Sequence, residues 1–175
     1  MMADGSGQMN SLQQFEPSAQ TQRAYRDALG HFPTGVTVVT AHAPQGFVGM
    51  TVNSFSSVSL DPPMVLWCLA NDSNRYAEFA EATHFAIHVL AEGQSELAWA
   101  FARSSQAFDA LTVNVNEAGV PVFAECLARF ECATAQRHAA GDHQIVVGHV
   151  TSAAYAAGQP LVFAKGGFGR FDIGA

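Results

Sequence analysis

The chain has 175 residues, of which 49% are hydrophobic and only 13% are charged. This length fits one domain with a hydrophobic core, and the composition excludes an intrinsically disordered protein. The net charge of −7 disfavours nucleic acid and anionic membranes as partners. No apolar run approaches the roughly 20 residues that span a bilayer, so we expect a soluble, cytoplasmic protein. The low charge density also predicts that a second copy covers part of the surface, as in a homodimer.

The elements can be predicted in chain order. Residues 1–19 are polar and without periodicity, which predicts a mobile tail before a domain over 20–175. Helix-forming patterns occupy three segments: 21–29, 75–82 and 95–103. Strand-forming patterns occupy seven segments: 36–40, 47–54, 64–69, 85–90, 127–137, 144–155 and 161–164. We expect irregular structure over 104–119 and a Gly-rich tail after 164.

Strands dominate this pattern, and the short helices do not alternate regularly with them. This order favours an antiparallel barrel with helical excursions over a doubly wound parallel sheet. No GxGxxG motif leads from a strand into a helix, which argues against a Rossmann-type nicotinamide site.

The segment 48–69, VGMTVNSFSSVSLDPPMVLWCL, has an unusual density of small and hydroxylated residues between Gly49 and Asp61. Strand-forming residues alternate with them, and Pro62 and Pro63 end the pattern. Short hydroxyls and an accessible main chain suit a polar heterocycle or a phosphate, because no long side chain blocks the approach of a ligand. The same composition is typical of a Ser/Thr-rich edge strand and turn, and the residues alone leave both interpretations open.

Two further clusters have both a structural and a functional interpretation. Residues 71–76, NDSNRY, are either a plain helix N-cap or a helix N-terminus that binds a phosphate, with Ser73 and Arg75 contributing. Gly141, Asp142 and His143 form either a tight turn between two strands or a turn that approaches a ligand closely.

Six stretches occur in an order and at a spacing that resemble a known family: FPTGVTVVT (32–40), the 48–69 segment, NDSNRYAEFAEATHFAIHVL (71–90), ELAWAFA (96–102), GDH (141–143) and PLVFAKGGFGRF (160–171). Over roughly residues 20 to 172 the chain resembles the short-chain flavin reductases, the reductase components of two-component flavin-dependent monooxygenases. The resemblance implies an FMN-binding split barrel, which is a mainly β, antiparallel, Greek-key-like fold with short flanking helices, and it implies a homodimer.

The resemblance also implies an NAD(P)H:flavin oxidoreductase that reduces FMN or FAD and supplies reduced flavin to a partner monooxygenase. FMN is expected before FAD, with NADH or NADPH as co-substrate. Two alternatives remain open. One is a tight flavoprotein of the same barrel that acts as an electron carrier or redox sensor, and the other is a non-catalytic flavin- or haem-binding module.

Site residues follow from the resemblance by position. The flavin contacts would be Val48, Gly49, Met50, Thr51, Val52, Asn53, Ser54, Phe55, Leu69, Ala70, Asn71, Ser73, Arg75, Tyr76, Phe101 and Ala102. The nicotinamide dinucleotide contacts would be Gly141, Asp142, His143, Phe168 and Arg170. Hydride transfer to a flavin needs no acid or base from the protein, so we expect alignment by His143 and Thr51 to take the place of side-chain catalysis.

The histidines and cysteines do not predict a metal site. His84 and His88 are four residues apart, but they lie on a predicted strand, and no CxxC spacing occurs. His88 stands where the family usually has Asn, and we expect it to be structural or interfacial. Cys68 lies in an apolar strand, where a reduced, buried thiol is expected.

Overall fold

The structure is a computed structural model that describes residues 11–109 and 111–172. Part of the predicted tail, residues 1–10, lies outside the described residues, as do residue 110 and residues 173–175. The described helices are α1 (Gln22–Leu29), α2 (Tyr76–Ala80) and α3 (Ser95–Arg103), with a 3₁₀ turn at Glu92–Gln94 before α3. The described strands are β1 (Thr34–Gly35), β2 (Thr37–Ala43), β3 (Gly46–Val52), β4 (Ser56–Leu60), β5 (Pro63–Ala70), β6 (His84–Val89), β7 (Val113–Val115), β8 (Pro121–Phe123), β9 (Ala128–Ala140), β10 (His143–Tyr155), β11 (Leu161–Ala164) and β12 (Gly167–Arg170).

Seven strands form one antiparallel sheet in the order β3-β2-β6-β9-β10-β5-β4. Its two edges, β3 and β4, are consecutive in the chain and are joined only by residues 53–55. That link spans at most about 14 Å, whereas the edges of a flat seven-stranded sheet lie about 29 Å apart. The sheet therefore curls into a barrel that is open between β3 and β4. This confirms the predicted mainly β, antiparallel fold.

The barrel interior contains one hydrophobic cluster. On β5 the buried residues Val65, Trp67 and Leu69 alternate with partly exposed ones, as expected for a strand with one face in the core. Strands β2, β3, β6, β9 and β10 contribute buried residues to the same cluster, and Phe79 from α2 joins it. The core is thus formed by six strands that come from residues 37 to 155 of the chain.

A second layer packs on the outside of β2 and β3. Val38 on β2 lies in a cluster with Ala98 and Phe101 of α3 and with Leu161 of β11. Helix α3 approaches β3 closely because Gly49 has no side chain: a Cβ there would lie 2.4 Å from a ring carbon of Phe101. This contact fixes the helix against β3, which carries five of the sixteen predicted flavin contacts.

Two segments that were predicted as a tail and as irregular structure contain strands, so these predictions are wrong. The Gly-rich stretch after 164 is strand β12, which pairs with β11 through Phe163 and Phe168. Lys165 and Gly166 have φ of 50° and 80°, the conformation of a two-residue hairpin turn that follows the twist of the strands. The segment 104–119 also contains strand β7, which is only three residues long and too short to show a clear alternation.

Helix α1 forms as predicted, but the described part of the chain buries none of its residues. Tyr25 and Leu29, on its apolar face, are 45% and 56% exposed. No helix of the described residues is both long and apolar enough to cross a membrane.

Candidate functional site

A cavity of about 210 Å³ lies between the end of β3, helix α3 and the hairpin of β11 and β12. Its surface is mostly apolar, with Thr51 and Asn53 supplying polar side chains. This combination suits a flat aromatic ring that is oriented by a few polar groups. The lining residues are Val36, Thr51, Val52, Asn53, Ala98, Trp99, Ala102, Phe163 and Phe168.

The structure brings five of the predicted contacts together in this cavity: Thr51, Val52, Asn53, Ala102 and Phe168. Sequence reasoning missed the remaining lining residues, among them Ala98 and Trp99. A signal for these two was present, because residues three and four positions before Ala102 share its face of a helix. Phe168 was predicted to contact nicotinamide, and the structure places it in the same cavity as the flavin candidates.

The Thr51 hydroxyl is left as an acceptor for a ligand. Its hydroxyl donates to the carbonyl of Ala98 at 2.7 Å, which ties β3 to α3. Because a hydroxyl carries a single proton, Thr51 Oγ1 can then only accept a hydrogen bond from a ligand.

The main chain of β3 adds a donor. The N–H of Gly49 points away from β2 and donates to the carbonyl of Ser105 at 2.7 Å. The N–H of Thr51 faces the same free edge, since the direction alternates every residue along an antiparallel strand.

Arg75 contacts the carboxyl end of α3. Arg75 is 8% exposed, and its guanidinium donates to the carbonyls of Phe101 at 2.7 Å and Ala102 at 3.0 Å, at the carboxyl end of α3. A cation there balances the negative end of the helix. Burial lowers the pKa of Arg75, although an arginine keeps its charge. Arg75 therefore positions the helix that lines the cavity.

The polar cluster before α2 is a turn and not a side-chain cap. Ser73 Oγ accepts the N–H of Arg75 at 3.2 Å, and α2 begins at Tyr76 without a side-chain cap. The hydroxyl of Tyr76 accepts a hydrogen bond from the side-chain amide of Gln144 on β10 at 3.4 Å.

Asn71 links the predicted flavin segment to the predicted nicotinamide turn. Its N–H donates to the carbonyl of Asp142 at 2.9 Å, and its side-chain amide donates to the carbonyl of Gly141 at 3.3 Å. Ala70, the last residue of β5, pairs directly with His143, the first residue of β10. The two groups of residues are 70 positions apart in the chain, and the sheet register places them side by side.

His143 and Asp142 form a pair at the surface. His143 Nδ1 lies 2.7 Å from a carboxylate oxygen of Asp142, and this hydrogen bond lowers the pKa of Asp142. Because a carboxylate accepts, we assign the proton to Nδ1, which leaves Nε2 as an acceptor for a ligand. His143 is not among the residues that line the cavity.

Several predicted flavin contacts are buried in the described chain or packed against its core. Val48, Leu69 and Phe101 are fully buried, and Met50 is 9% exposed. Phe55 stacks on Phe130 with ring centroids 5.6 Å apart.

Ser54 extends the pairing of β4 with β5. Its hydroxyl accepts the N–H of Cys68 on β5 at 2.9 Å, one step beyond the pair of Ser56 and Leu66. Arg170, in contrast, lies at the end of β12 with its side chain 84% exposed, 4.0 Å from a carboxylate oxygen of Glu92.

His88 is structural in this chain. It is fully buried, with Nδ1 3.2 Å from the carbonyl of Val38, and its Nε2 accepts the N–H of Phe123 at 3.3 Å. Its ring stacks on Phe123 at a centroid distance of 3.8 Å, and burial lowers the pKa of His88 to about 3. A neutral His88 thus joins β2, β6 and β8. The described residues contain no group of three or more His, Cys, Asp or Glu side chains arranged to hold a metal ion.

Comparison with known proteins identifies the family of this chain. Residues 29–172 match the flavin reductase like domain. The chain belongs to the flavin reductase family. It is 57% identical over 158 residues to FMN reductase (NADH) SmoA of Agrobacterium fabrum. The aligned region covers 90% of this chain and 91% of that protein. The predicted family membership is confirmed.

A second relative is the reductase component of a flavin-dependent trigonelline monooxygenase from Acinetobacter baylyi, which is 46% identical over 77% of this chain. The chain spans 45% of that relative, and 48% and 64% of two others from Rhizobium meliloti. Among solved structures, the NADH:FAD oxidoreductase SgcE6 of Streptomyces globisporus, in complex with NAD and FAD fragments, matches with a TM-score of 0.84 and 37% identity. That alignment covers 93% of this chain and 99% of SgcE6.

Proposed function

We propose that this flavin reductase family member oxidises NADH and reduces a flavin that then leaves for a partner enzyme. The observation that carries the proposal is the apolar cavity between β3 and α3, whose polar groups come from Thr51, Asn53 and the main chain. An apolar slot suits the flavin ring, and the absence of a nearby acid or base among its described lining residues suits hydride transfer.

Each part of the site has a role in this proposal. The bound flavin supplies the hydride acceptor. The N–H of Thr51 stabilises negative charge that develops on the ring, and Thr51 Oγ1 accepts a hydrogen bond from it. His143 Nε2 accepts a hydrogen bond from the carboxamide of the nicotinamide. Asn71 holds the turn that carries His143, and Arg75 holds the helix that carries Trp99 and Ala102.

We propose NADH as the reductant and FMN as the first flavin, with FAD as the second. SmoA is an FMN reductase that uses NADH, and SgcE6 is an NADH:FAD oxidoreductase. In this proposal the cavity of about 210 Å³ receives the ring, and the part of the flavin beyond the ring lies outside it, where different chain lengths are tolerated.

The partner in this proposal is a flavin-dependent monooxygenase that takes up the reduced flavin. Support comes from the Acinetobacter relative, which is the reductase component of such a system. A cytoplasmic location and a domain over residues 20–175, both predicted from the sequence, belong to the same proposal.

The homodimer is also a proposal. It is supported by large apolar side chains near α1 that the described chain leaves exposed: Tyr25, Leu29 and Phe32 at 45%, 56% and 76%. Light scattering after size exclusion should give twice the mass of one chain. A Leu29→Glu variant should shift the mass toward that of a monomer, and a monomeric wild type would contradict the proposal.

The function is tested by following NADH absorbance with and without added FMN, FAD or riboflavin. We expect oxidation that rises with flavin concentration and saturates, and reduced flavin that accumulates in solution under anaerobic conditions. Binding of flavin without oxidation of NADH or NADPH would refute the reductase. It would favour the electron carrier or the binding module that the sequence left open.

A further inference from the structure

Three aromatic side chains form one side of the cavity, which we call the aromatic wall: Phe163, Phe168 and Trp99. Trp99 meets Phe168 edge to face at a centroid distance of 5.2 Å, and Phe168 meets Phe163 in the same way at 5.6 Å. Edge-to-face pairs stabilise one another beyond the area that they bury. The wall is therefore an ordered surface, and it connects α3 to the hairpin of β11 and β12.

Trp99 differs from the other tryptophan of the chain. Trp67 is 1% exposed in the barrel core, whereas Trp99 is 42% exposed on a helix that buries Ala98 and Phe101. Trp99 also has a cation beside it, because the guanidinium carbon of Arg103 lies 5.7 Å from its ring centroid. Phe168 and Arg103 hold the indole in place while part of its surface stays accessible.

Residues 51–53, at the end of β3 and the start of the link that follows it, line the same cavity. We expect a planar ring in the cavity to meet main-chain and hydroxyl groups of these residues as well as the indole. A contact surface that is already ordered binds without the entropy cost of fixing the side chain.

We propose that Trp99 is a ring-binding residue that contacts the flavin, and that Phe168 positions it. This inference rests on the proposed function, because the ring is that of the flavin substrate. Recognition through Trp99 concerns only the ring, which riboflavin, FMN and FAD share. Trp99 therefore raises the affinity for all three by the same factor and does not discriminate between them.

The test is a set of dissociation constants for riboflavin, FMN and FAD, measured by ultrafiltration without NADH. Trp99→Ala should weaken binding of each flavin by the same factor, about 5- to 150-fold if the contact resembles base–aromatic stacking. Trp99→Phe should restore much of the affinity. Phe168→Ala should weaken binding less, because Phe168 acts partly through Trp99.

Trp67→Phe is the matched control, since it changes the other tryptophan in the core. It should lower the thermal midpoint and leave the three dissociation constants unchanged. In that variant Trp99 is the remaining tryptophan, so its fluorescence should be quenched by FMN with the same dissociation constant.

Two outcomes would overturn the inference: unchanged flavin affinity in a folded Trp99→Ala variant, or a loss confined to FMN and FAD, which would place Trp99 beside the phosphate. Turnover in the wild type together with either outcome would leave the reductase function intact. Flavin binding that depends on Trp99 but supports no NADH oxidation would refute the reductase function alone.

Discussion

Replacing Gly49 by alanine should damage the contact between β3 and α3. The new Cβ would lie 2.4 and 2.6 Å from two ring carbons of Phe101, whereas carbon atoms in contact are normally about 3.5–4.0 Å apart. The ring must therefore move by about 1 Å or more. It has no free space, because it is fully buried and packs on Phe108 and Phe123 at centroid distances of 5.0 and 6.4 Å.

Overpacking of this kind costs about 1–3 kcal/mol of unfolding free energy. We expect urea denaturation of Gly49→Ala to show a loss in that range, with an unchanged denaturant dependence. Because α3 also carries Trp99 and Ala102, a displaced helix should weaken FMN binding as well. A second substitution, Phe101→Leu, should recover part of the stability in the Gly49→Ala background, since the smaller side chain makes room.

The matched control is Gly35→Ala, where a Cβ would have no neighbour among the described residues within 4 Å. That variant should be as stable as the wild type or slightly more so, since alanine loses less backbone freedom than glycine on folding. If Gly49→Ala behaved like Gly35→Ala in both stability and FMN affinity, the close packing of α3 on β3 would be refuted.

Three further predictions concern polar contacts. Arg75→Gln leaves buried helix carbonyls without a charged donor, so we expect the free energy of unfolding in urea to fall by about 2–3 kcal/mol. Binding of riboflavin should weaken as well as binding of FMN. Weaker binding of FMN alone would instead indicate that Arg75 contacts the phosphate. Burial lowers the pKa of His88 to about 3 in the folded chain, whereas it is about 6.5 in the unfolded chain, so protonation favours unfolding. The contribution of His88 to the free energy of unfolding is therefore present above about pH 6.5 and is lost as the pH falls toward 3. The loss should be about 2 kcal/mol at pH 5. His88→Asn should flatten this dependence and exposed His138→Asn should not, as unfolding free energies at several pH values would reveal. Asn71→Ala removes a hydrogen bond to the turn of residues 141–143 and should raise the KM for NADH. The affinity for riboflavin should stay near that of the wild type. If the KM for NADH were equal in the variant and the wild type, the turn would not need the Asn71 side chain.

Much of the fold could be predicted from local patterns. The alternation in β5 and the β-branched run in β2 predict strands because every second side chain must face the core. The helix at 95–103 was predicted with its observed bounds, Ser95–Arg103. Strand β12 was missed because Gly at two of its four positions looks like a flexible tail, and only pairing with β11 stabilises it as a strand.

The residues of the candidate site were also predicted only in part. Thr51, Asn53 and Phe168 were predicted, and they line the cavity. Trp99 was missed because an aromatic residue on a short helix is typical of a core position, and its exposure depends on how α3 packs. Arg75 was predicted to contribute to a phosphate site, and the structure adds contacts that no local pattern indicates, because its guanidinium donates to carbonyls 26 and 27 positions further along the chain.

The sequence by itself determined the strand-rich antiparallel class, the order of most elements and the family, because alternation, turn residues and motif order are local properties of the chain. Only the tertiary structure decided which groups contact each other: Asn71 with the turn at Gly141, Arg75 with the end of α3, and Trp99 with Phe168. Each of these contacts joins segments that are far apart in sequence. Their partners are determined by the register of the sheet and by the close approach of α3 to Gly49, and neither has a local pattern.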